Sequence, residues 1–142
     1  MLVRLMYASR ATSALVEADL AAILRSSREN NPQEGITGLL CFTEGVFVQV
    51  LEGGRDAVNA RYRRIVADPR HSDVTLLSYE EIGERNFAGW TMGQVNLQRL
   101  NPALMLKYSE SGRLDPYQMS GAAMAALFRE MCASGAIAAA EL

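Results

Sequence analysis

The sequence places four polar side chains at positions where the surrounding pattern predicts burial. Tyr7 ends an apolar strand near the N-terminus, and Gln49 is the only polar side chain in the apolar run Val46–Leu51. Ser27 and Asn31 continue the apolar stripe of a predicted helix. A buried glutamine needs partners for one acceptor and two donor positions, or stability is lost. If the four side chains converge, they form a polar cluster within an apolar slot, which is typical of a small-molecule site.

Taken singly, each of these residues has a structural explanation. A strand glutamine can lie at an exposed edge, and polar residues near a helix end can satisfy free carbonyls. A tyrosine is often an amphipathic core residue. The functional interpretation depends on the convergence of all four side chains, which the periodicities of separate elements predict independently.

Charged residues follow along the next predicted helix. Arg64 and Asp68 are four residues apart on one flank of that helix, with Arg61 beside them, and Arg70 and His71 follow its C-terminal end. An arginine flank beside a slot suits a phosphate group or a polyol chain. The alternative, a solvated face with an ordinary ion pair between residues four apart, stays open.

The elements that would position these residues follow from hydrophobic periodicity. The pattern predicts a strand, a helix, a hairpin of two strands, a second helix, a fourth strand, a short fifth strand and a tail helix: Leu2–Tyr7, Val16–Asn30, Gly35–Phe42, Val46–Leu51, Asp56–Ala67, Val74–Ile82, Phe87–Val95 and Pro116–Ile137. The first helix should end before Pro32, because the residue before a proline disfavours helical geometry. In the second helix, Val58, Tyr62, Ile65 and Val66 should face inward.

This order, β-α-β-β-α-β, predicts an α+β fold of the ferredoxin-like type with a fifth strand and a C-terminal helical appendage. In that fold the strands lie in the order 4-1-3-2 and both helices cover one face. The first and third strands are then neighbours, so Tyr7 and Gln49 should meet between the two helices. We expect a domain over residues 1–95 and a helical extension over residues 96–142 that packs on the opposite face of the sheet.

Composition narrows the functional classes. The chain of 142 residues is 49% hydrophobic with a net charge of −2, which predicts one globular domain and argues against a nucleic-acid reader. No apolar run reaches the roughly 18 residues that a membrane span needs, and MLVRLMYASR does not resemble a secretory signal. We therefore expect a cytoplasmic protein in which Cys41 and Cys132 are reduced thiols. Two scattered cysteines and one histidine argue against a zinc site.

Five sequence blocks, in this order and at these separations, resemble the BLUF domain, a blue-light sensor that uses FAD. The blocks are Tyr7, NNPQEGITGLL from Asn30, FVQVLEG from Phe47, DPRH from Asp68 and RNFAGWTMG from Arg85. The resemblance extends from Leu2 to about Gly93. The later segment LKYS (Leu106–Ser109) is similar to that of short, single-domain members of the family.

The resemblance implies roles for individual residues. Tyr7 matches the tyrosine that donates an electron to the excited flavin, and Gln49 matches the glutamine between that tyrosine and the flavin N5/C4=O edge. Asn31 matches the asparagine at the isoalloxazine carbonyls, and Ser27 and Ile23 match helix residues that lie against the ring. Four further residues would contact the ribityl, phosphate or pyrimidine side of FAD, namely Arg64, Asp68, Arg70 and His71.

The resemblance also implies how light would become a signal. Electron and proton transfer from Tyr7 and back would leave Gln49 rearranged, by rotation, tautomerisation or both, with a stronger hydrogen bond at flavin C4=O and a red-shifted absorption. Trp90 and Met92 match the mobile pair on the fifth strand, and which of them lies inside is left open. We expect the change to pass through the Met-rich tail to a separate effector protein, with self-association of the chain. No enzyme activity and no nucleic-acid or membrane partner are expected.

Alternatives from other classes share the fold. An RNA-recognition module would place Tyr7 and Phe47 on its sheet, but the acidic charge and the missing basic RNP1 pattern argue against it. A hydrolase of the acylphosphatase type would need an arginine in an anion-binding loop. Arg10 is present, but a glycine-rich loop is not. A BLUF-fold protein whose main role is protein interaction is the third alternative.

Overall fold

The computed structural model describes residues 1–12, 17–95, 101–134 and 137–141, without the side chains of 17–19 and 137–141. In chain order the elements are β1 (Leu2–Ala11), α1 (Glu17–Glu34), β2 (Thr37–Thr43), β3 (Val46–Gly54), α2 (Arg55–Ala67), β4 (His71–Ile82), β5 (Trp90–Val95), α3 (Pro102–Tyr108), α4 (Gly121–Ser134) and β6 (Ile137–Glu141). The predicted helix start at Val16 lies outside the described residues. Among the described residues, no helix combines the length and the apolar character needed to cross a bilayer.

The sheet confirms the predicted α+β architecture. Its strand order is β4-β1-β3-β2-β5-β6, so the first four strands follow the 4-1-3-2 order of the ferredoxin-like fold. In the antiparallel pairing of β1 with β3, Tyr7 lies directly opposite Gln49. The fifth strand pairs in parallel with β2, and β6 adds to its outer edge. The sequence pattern did not predict β6.

The sheet separates two hydrophobic clusters, one on each face. The α1/α2 face is covered by the first two helices, and its buried residues include Val3, Leu5, Tyr7, Leu24, Ile36, Leu40, Phe47, Leu51, Val58 and Met92. The α3/α4 face is covered by the tail helices, and its cluster includes Met6, Leu39, Cys41, Val48, Val50, Phe87, Met105, Met124, Leu127, Phe128 and Met131. Strand side chains alternate between the two faces, so consecutive residues of β3 contribute to different clusters.

Helix α1 does not end before Pro32, as predicted, but continues to Glu34. Its last turn ends in a Schellman motif, in which Ile36 N–H donates to the Asn31 carbonyl and Gly35 N–H to the Pro32 carbonyl. Gly35 adopts a φ of 68°, which glycine accepts without steric cost. This cap and the tertiary contacts of Asn31 offset the proline penalty, so Asn31 lies within the helix.

Two other expectations about helices are wrong. The tail does not form one helix from Pro116 to Ile137, because α4 extends only from Gly121 to Ser134 and a separate short helix, α3, precedes it. Asn101 caps α3 through a side-chain oxygen that accepts from Ala103 N–H at 2.9 Å. In α2, Val66 is 52% exposed rather than inward-facing, since it lies beyond the stripe that contains Val58.

Candidate functional site

A cavity of about 200 Å³ opens between α1, α2 and the neighbouring strands β1 and β3. It brings together all nine residues predicted for photochemistry and cofactor binding, namely Tyr7, Ile23, Ser27, Asn31, Gln49, Arg64, Asp68, Arg70 and His71. Its lining also includes Arg61, which the sequence placed in the same arginine flank, and three residues that were not predicted as site residues: Ser26, Leu51 and Ile65. Leu51 shares the strand face of Gln49 by alternation, and Ile65 lies one helical turn after Arg61, so periodicity could have identified both.

At the inner end of the cavity, Tyr7 donates a hydrogen bond to Gln49 Oε1 at 2.5 Å. The two residues are opposite each other in the β1–β3 pairing, and both side chains are buried. Burial raises the pKa of Tyr7 well above its usual value, and the charges of Tyr62 and Asp68 add to the shift. The phenol is therefore neutral at physiological pH and holds its proton on the oxygen that faces Gln49.

The amide nitrogen of Gln49 has a weaker partner. Gln49 Nε2 donates to the sulfur of Met92 at 3.3 Å, and a thioether is a weak acceptor. The two ends of this amide are thus held unequally, firmly by the Tyr7 phenol and loosely by the Met92 sulfur.

Helix α1 is tied to β5 next to this amide. Asn31 Nδ2 donates to the backbone carbonyl of Thr91 at 3.1 Å, and Arg28 Nε donates to that of Met92 at 3.3 Å. These bonds place the first residues of β5 beside the cavity.

Two buried polar atoms at the cavity have no partner within the part of the chain that the structure describes: Asn31 Oδ1 and Arg61 Nε. A buried polar atom without a partner costs free energy, which a bound ligand can restore. An amide acceptor and a guanidinium donor suit the edge of a ring that carries an N–H between carbonyl groups. The pyrimidine edge of a flavin has this pattern, so these residues fit the group that the resemblance implies.

The charged rim of the cavity differs from the ion pair of the alternative interpretation. Arg64 does not pair with Asp68 four residues later. It donates to Glu34 of α1 at 3.1 Å, as Arg61 does at 2.9 Å. Asp68 instead accepts from Arg70, whose hydrogen bonds lower the pKa of the carboxyl group. The rim thus combines arginine side chains with two acidic residues.

His71 begins β4 and lies at the rim on the β1 side. Its Nδ1 is 2.7 Å from Ser9 Oγ, and its ring is 4.9 Å from that of Phe47. Burial lowers the pKa of the imidazole most; Asp68 raises it and Arg70 lowers it. The neutral ring is therefore favoured.

Met92, not Trp90, is the strand residue at Gln49. Residues two apart in a regular strand share a face, but β5 has a register irregularity between Trp90 and Met92. Met92 consequently belongs to the α1/α2 face, whereas Trp90 packs against the cluster of the α3/α4 face. The inner position, which the sequence left open, is occupied by the methionine.

Comparison with known proteins assigns this architecture to a known family. The model of the family described as BLUF, sensors of blue light using FAD, matches residues 2–93. The chain is 45% identical over 92 residues to the photoactivated adenylate cyclase subunit beta of Euglena gracilis, and 44% identical over 92 residues to that of Euglena longa. Each match covers 64% of this chain and 11% of the relative. The chain thus spans about a tenth of the length of these relatives.

Two solved structures match over nearly the whole chain, and a third matches part of it. The dark-state structure of BlrB, a BLUF protein, has a TM-score of 0.79 and 37% identity, with 94% of this chain and 96% of that one covered. The photo-activated state of BlsA has a TM-score of 0.81 and 28% identity, with coverage of 92% and 94%. In the cyclic-diGMP complex of Klebsiella pneumoniae BlrP1, 71% of this chain matches 26% of the other, with a TM-score of 0.65 and 35% identity.

Proposed function

Because the chain belongs to the BLUF family, the sensors of blue light using FAD, we propose that it detects blue light through Tyr7 and Gln49 and passes the signal to a separate effector. The observation that carries the proposal is the 2.5 Å hydrogen bond from the Tyr7 phenol to Gln49 Oε1 beside the cavity. It joins a group that can lose an electron and a proton to a group that can accept the proton.

The cavity residues would hold the ring system of FAD. Asn31 and Arg61 would meet its polar edge, because each has a buried polar atom without a partner among the described residues. Ile23 and Ile65 supply apolar surface for the ring faces, and both line the cavity. A cavity of about 200 Å³ is smaller than a typical small-molecule pocket of roughly 300–1,000 Å³. We therefore place the ring inside and the rest of the dinucleotide along the arginine rim.

Tyr7 and Gln49 would do the chemistry. A bound FAD would supply the blue-light absorption and the electron acceptor. Tyr7 is the electron source, and its phenol proton moves along the hydrogen bond to Gln49 Oε1. Both return to Tyr7 afterwards, so the tyrosine ends unchanged.

Gln49 is the switch in this proposal. Its Nε2 gives up only a weak bond to the Met92 sulfur when the amide rotates or changes tautomer. The amide then presents its donor and acceptor to different neighbours, although no net redox change remains. Because Met92 and Trp90 lie on opposite faces, β5 is the element through which this change would reach the α3/α4 face.

We further propose that the output is protein interaction. The Euglena relatives are named as adenylate cyclase subunits and are matched over 11% of their length, whereas BlrB and BlsA are matched over 96% and 94% of theirs. For this chain, we place the sensor in residues 1–95 and the output in residues 96–142, which act on a separate effector in a self-associated form. No described group of side chains forms a metal site, and the proposal involves none.

Absorption spectroscopy tests the proposal. We expect purified protein loaded with FAD to show a flavin band that shifts to the red in blue light and returns in the dark. Tyr7→Phe should bind FAD without the shift, because phenylalanine has no phenol to lose an electron and a proton. The matched control is Tyr62→Phe, whose ring lies 5.7 Å from that of Tyr7 but does not bond Gln49.

Three outcomes would overturn the proposal. These are a failure to bind FAD, a band that bleaches instead of shifting, and a reversible shift that persists in Tyr7→Phe. Loss of the shift in Tyr62→Phe as well as Tyr7→Phe would count against the specific role of Tyr7.

A further inference from the structure

Glu52 is a fully buried acidic residue that the proposed photochemistry does not use. It follows Gln49 by three residues in β3, so its side chain lies on the α3/α4 face, with 0% of the residue exposed. Its Oε1 accepts from the backbone N–H of Phe87 at 2.7 Å. Its Oε2 accepts from the backbone N–H of Asn86 at 2.9 Å and from Arg4 Nε at 2.7 Å. A buried carboxylate is tolerated only with such partners.

Two of these donors belong to the β4–β5 loop, residues 83–89, which leads into β5. Arg85 of the same loop forms further hydrogen bonds to residues outside the loop. Its guanidinium donates to Thr37 Oγ1 at 3.0 Å, to the Glu52 carbonyl at 3.4 Å and to the Gly35 carbonyl at 2.7 Å. The loop is therefore anchored to β3, to the start of β2 and to the cap of α1.

The loop connects both faces of the sheet. The Phe87 ring is buried in the α3/α4 cluster with Met124 and Phe128 of α4. Three residues later, Trp90 N–H donates to the Phe87 carbonyl at 3.2 Å, and β5 then continues to Met92 at Gln49.

We propose that Glu52 is a positioning residue that holds the β4–β5 loop, so that β5 keeps Met92 against Gln49 and remains coupled to α4. The inference rests on the proposed function, because it concerns how the strand beside the switch is held. The same carboxylate also acts on Cys132 of α4. Burial, as the larger cause, and the charge of Glu52 together raise the pKa of the Cys132 thiol to about 11.

Dark recovery in the full-length, FAD-loaded chain tests this role. Glu52→Gln removes the charge and leaves one loop N–H facing an amide NH₂ group instead of an acceptor. With β5 less constrained, Met92 repacks around Gln49 more easily, so the red-shifted form should decay at least about fivefold faster, the lower end of couplings between protein sites. Tyr7 and Gln49 are untouched, so the red shift itself should persist.

A second measurement does not depend on light. In the dark, the amide protons of Asn86 and Phe87 should exchange with solvent at least about tenfold faster in Glu52→Gln, since local opening of the loop becomes easier. A merely structural role would instead lower the melting temperature without a selective change in this loop.

Glu80→Gln is the matched control. Glu80 pairs with the same Arg4 at 2.8 Å, but its side chain is 56% exposed, and no bond from the loop to it is observed among the described residues. Its recovery rate and loop exchange should remain within about twofold of the unmodified chain. If Glu52→Gln does not fold, Arg85→Met releases the same loop from its other anchors and should speed recovery in the same direction.

The inference is overturned if a folded Glu52→Gln keeps both the recovery rate and the exchange rates of the unmodified chain, or if Glu80→Gln changes them equally. Where Glu52→Gln fails to fold, unchanged rates in Arg85→Met overturn it. Absence of any red shift in the unmodified chain contradicts the proposed function instead, and the exchange measurement then decides the inference alone.

Discussion

Each face of the sheet buries a hydrophobic cluster, but the two faces differ in how their polar groups are partnered. On the α1/α2 face, Tyr7, Gln49 and Asn31 are buried beside a cavity, and Asn31 Oδ1 has no partner among the described residues. On the α3/α4 face, the central cluster consists of methionine, leucine, valine, phenylalanine and cysteine side chains. The Arg4–Glu52 pair lies at its margin, with its partners supplied by the protein.

This contrast indicates that the two faces of the sheet have different roles. Close packing of apolar side chains stabilises a fold, whereas a cavity with unpaired polar groups reduces stability unless a ligand occupies it. The α1/α2 face therefore has the properties of a binding site. The close packing of the α3/α4 face supplies stability that offsets the cost of this site. Four predictions test this comparison, in order of expected effect.

Truncation in the α3/α4 cluster should have the largest effect on stability. Phe128→Ala removes a ring that is 0% exposed, so the free energy of unfolding, measured in urea, should fall by about 3–5 kcal/mol. Leu106→Ala on α3 is the control, because Leu106 is 62% exposed and should change stability by less than about 0.5 kcal/mol. Equal losses in the two variants would mean that α4 does not pack on the sheet.

A glutamine should be tolerated at position 49 but not at position 50. Val50 is 0% exposed and faces the apolar cluster. Val50→Gln should therefore lower the free energy of unfolding by about 1–3 kcal/mol, because the apolar cluster offers the new amide no polar partner. Val46→Gln at the partly exposed start of β3 should lose less. A Val50→Gln variant as stable as the unmodified chain would refute the contrast between the faces.

Removing both members of the Tyr7–Gln49 pair should harm stability less than removing one. Tyr7→Phe leaves Gln49 Oε1 buried without its donor, which costs about 1–3 kcal/mol. The double variant Tyr7→Phe/Gln49→Leu removes both partners and should lie within about 1 kcal/mol of the unmodified chain in urea denaturation without FAD. A double variant less stable than the single one would show that the pair contributes net stability.

The smallest effect concerns pH and His71. The pKa of the folded imidazole is lowered from 6.5, chiefly by burial. As the pH falls through 6.5, the unfolded chain binds a proton that the folded chain resists. Stability should therefore decrease until the pH reaches the lower folded pKa. Melting temperatures between about pH 5 and 7.5 should show this decrease in the unmodified chain and less of it in His71→Gln.

The titration of Asp68 lies below the pH range of this test. Its pKa is lowered from 3.8 by Arg70, so the stability that it contributes is present above that pH and is lost only in stronger acid. His71 is the only histidine of the chain. A decrease of the same size in His71→Gln would assign the effect to other groups.

Much of the site follows from local pattern. Strand side chains alternate and helix side chains repeat every 3.6 residues, so Tyr7, Gln49 and Asn31 could each be assigned to a buried face before any contact was known. The order of elements then predicted neighbouring first and third strands, as observed. All nine predicted residues line the cavity, while their roles toward FAD remain predictions.

Local pattern failed where long-range contacts override it. The sequence alone placed a helix end before Pro32, yet the cap at Gly35 and the bond from Asn31 to the Thr91 carbonyl keep the last turn helical. The irregularity in β5 places the side chains of Trp90 and Met92 on opposite faces of the sheet. In a regular strand, residues two apart would share one face. The amino-acid sequence by itself determined that Tyr7, Gln49 and Asn31 are buried and in what order the first four strands and two helices occur, because periodicity is a local property. Only the tertiary structure decided which strand residue meets Gln49, because that depends on hydrogen bonds between segments far apart in the chain.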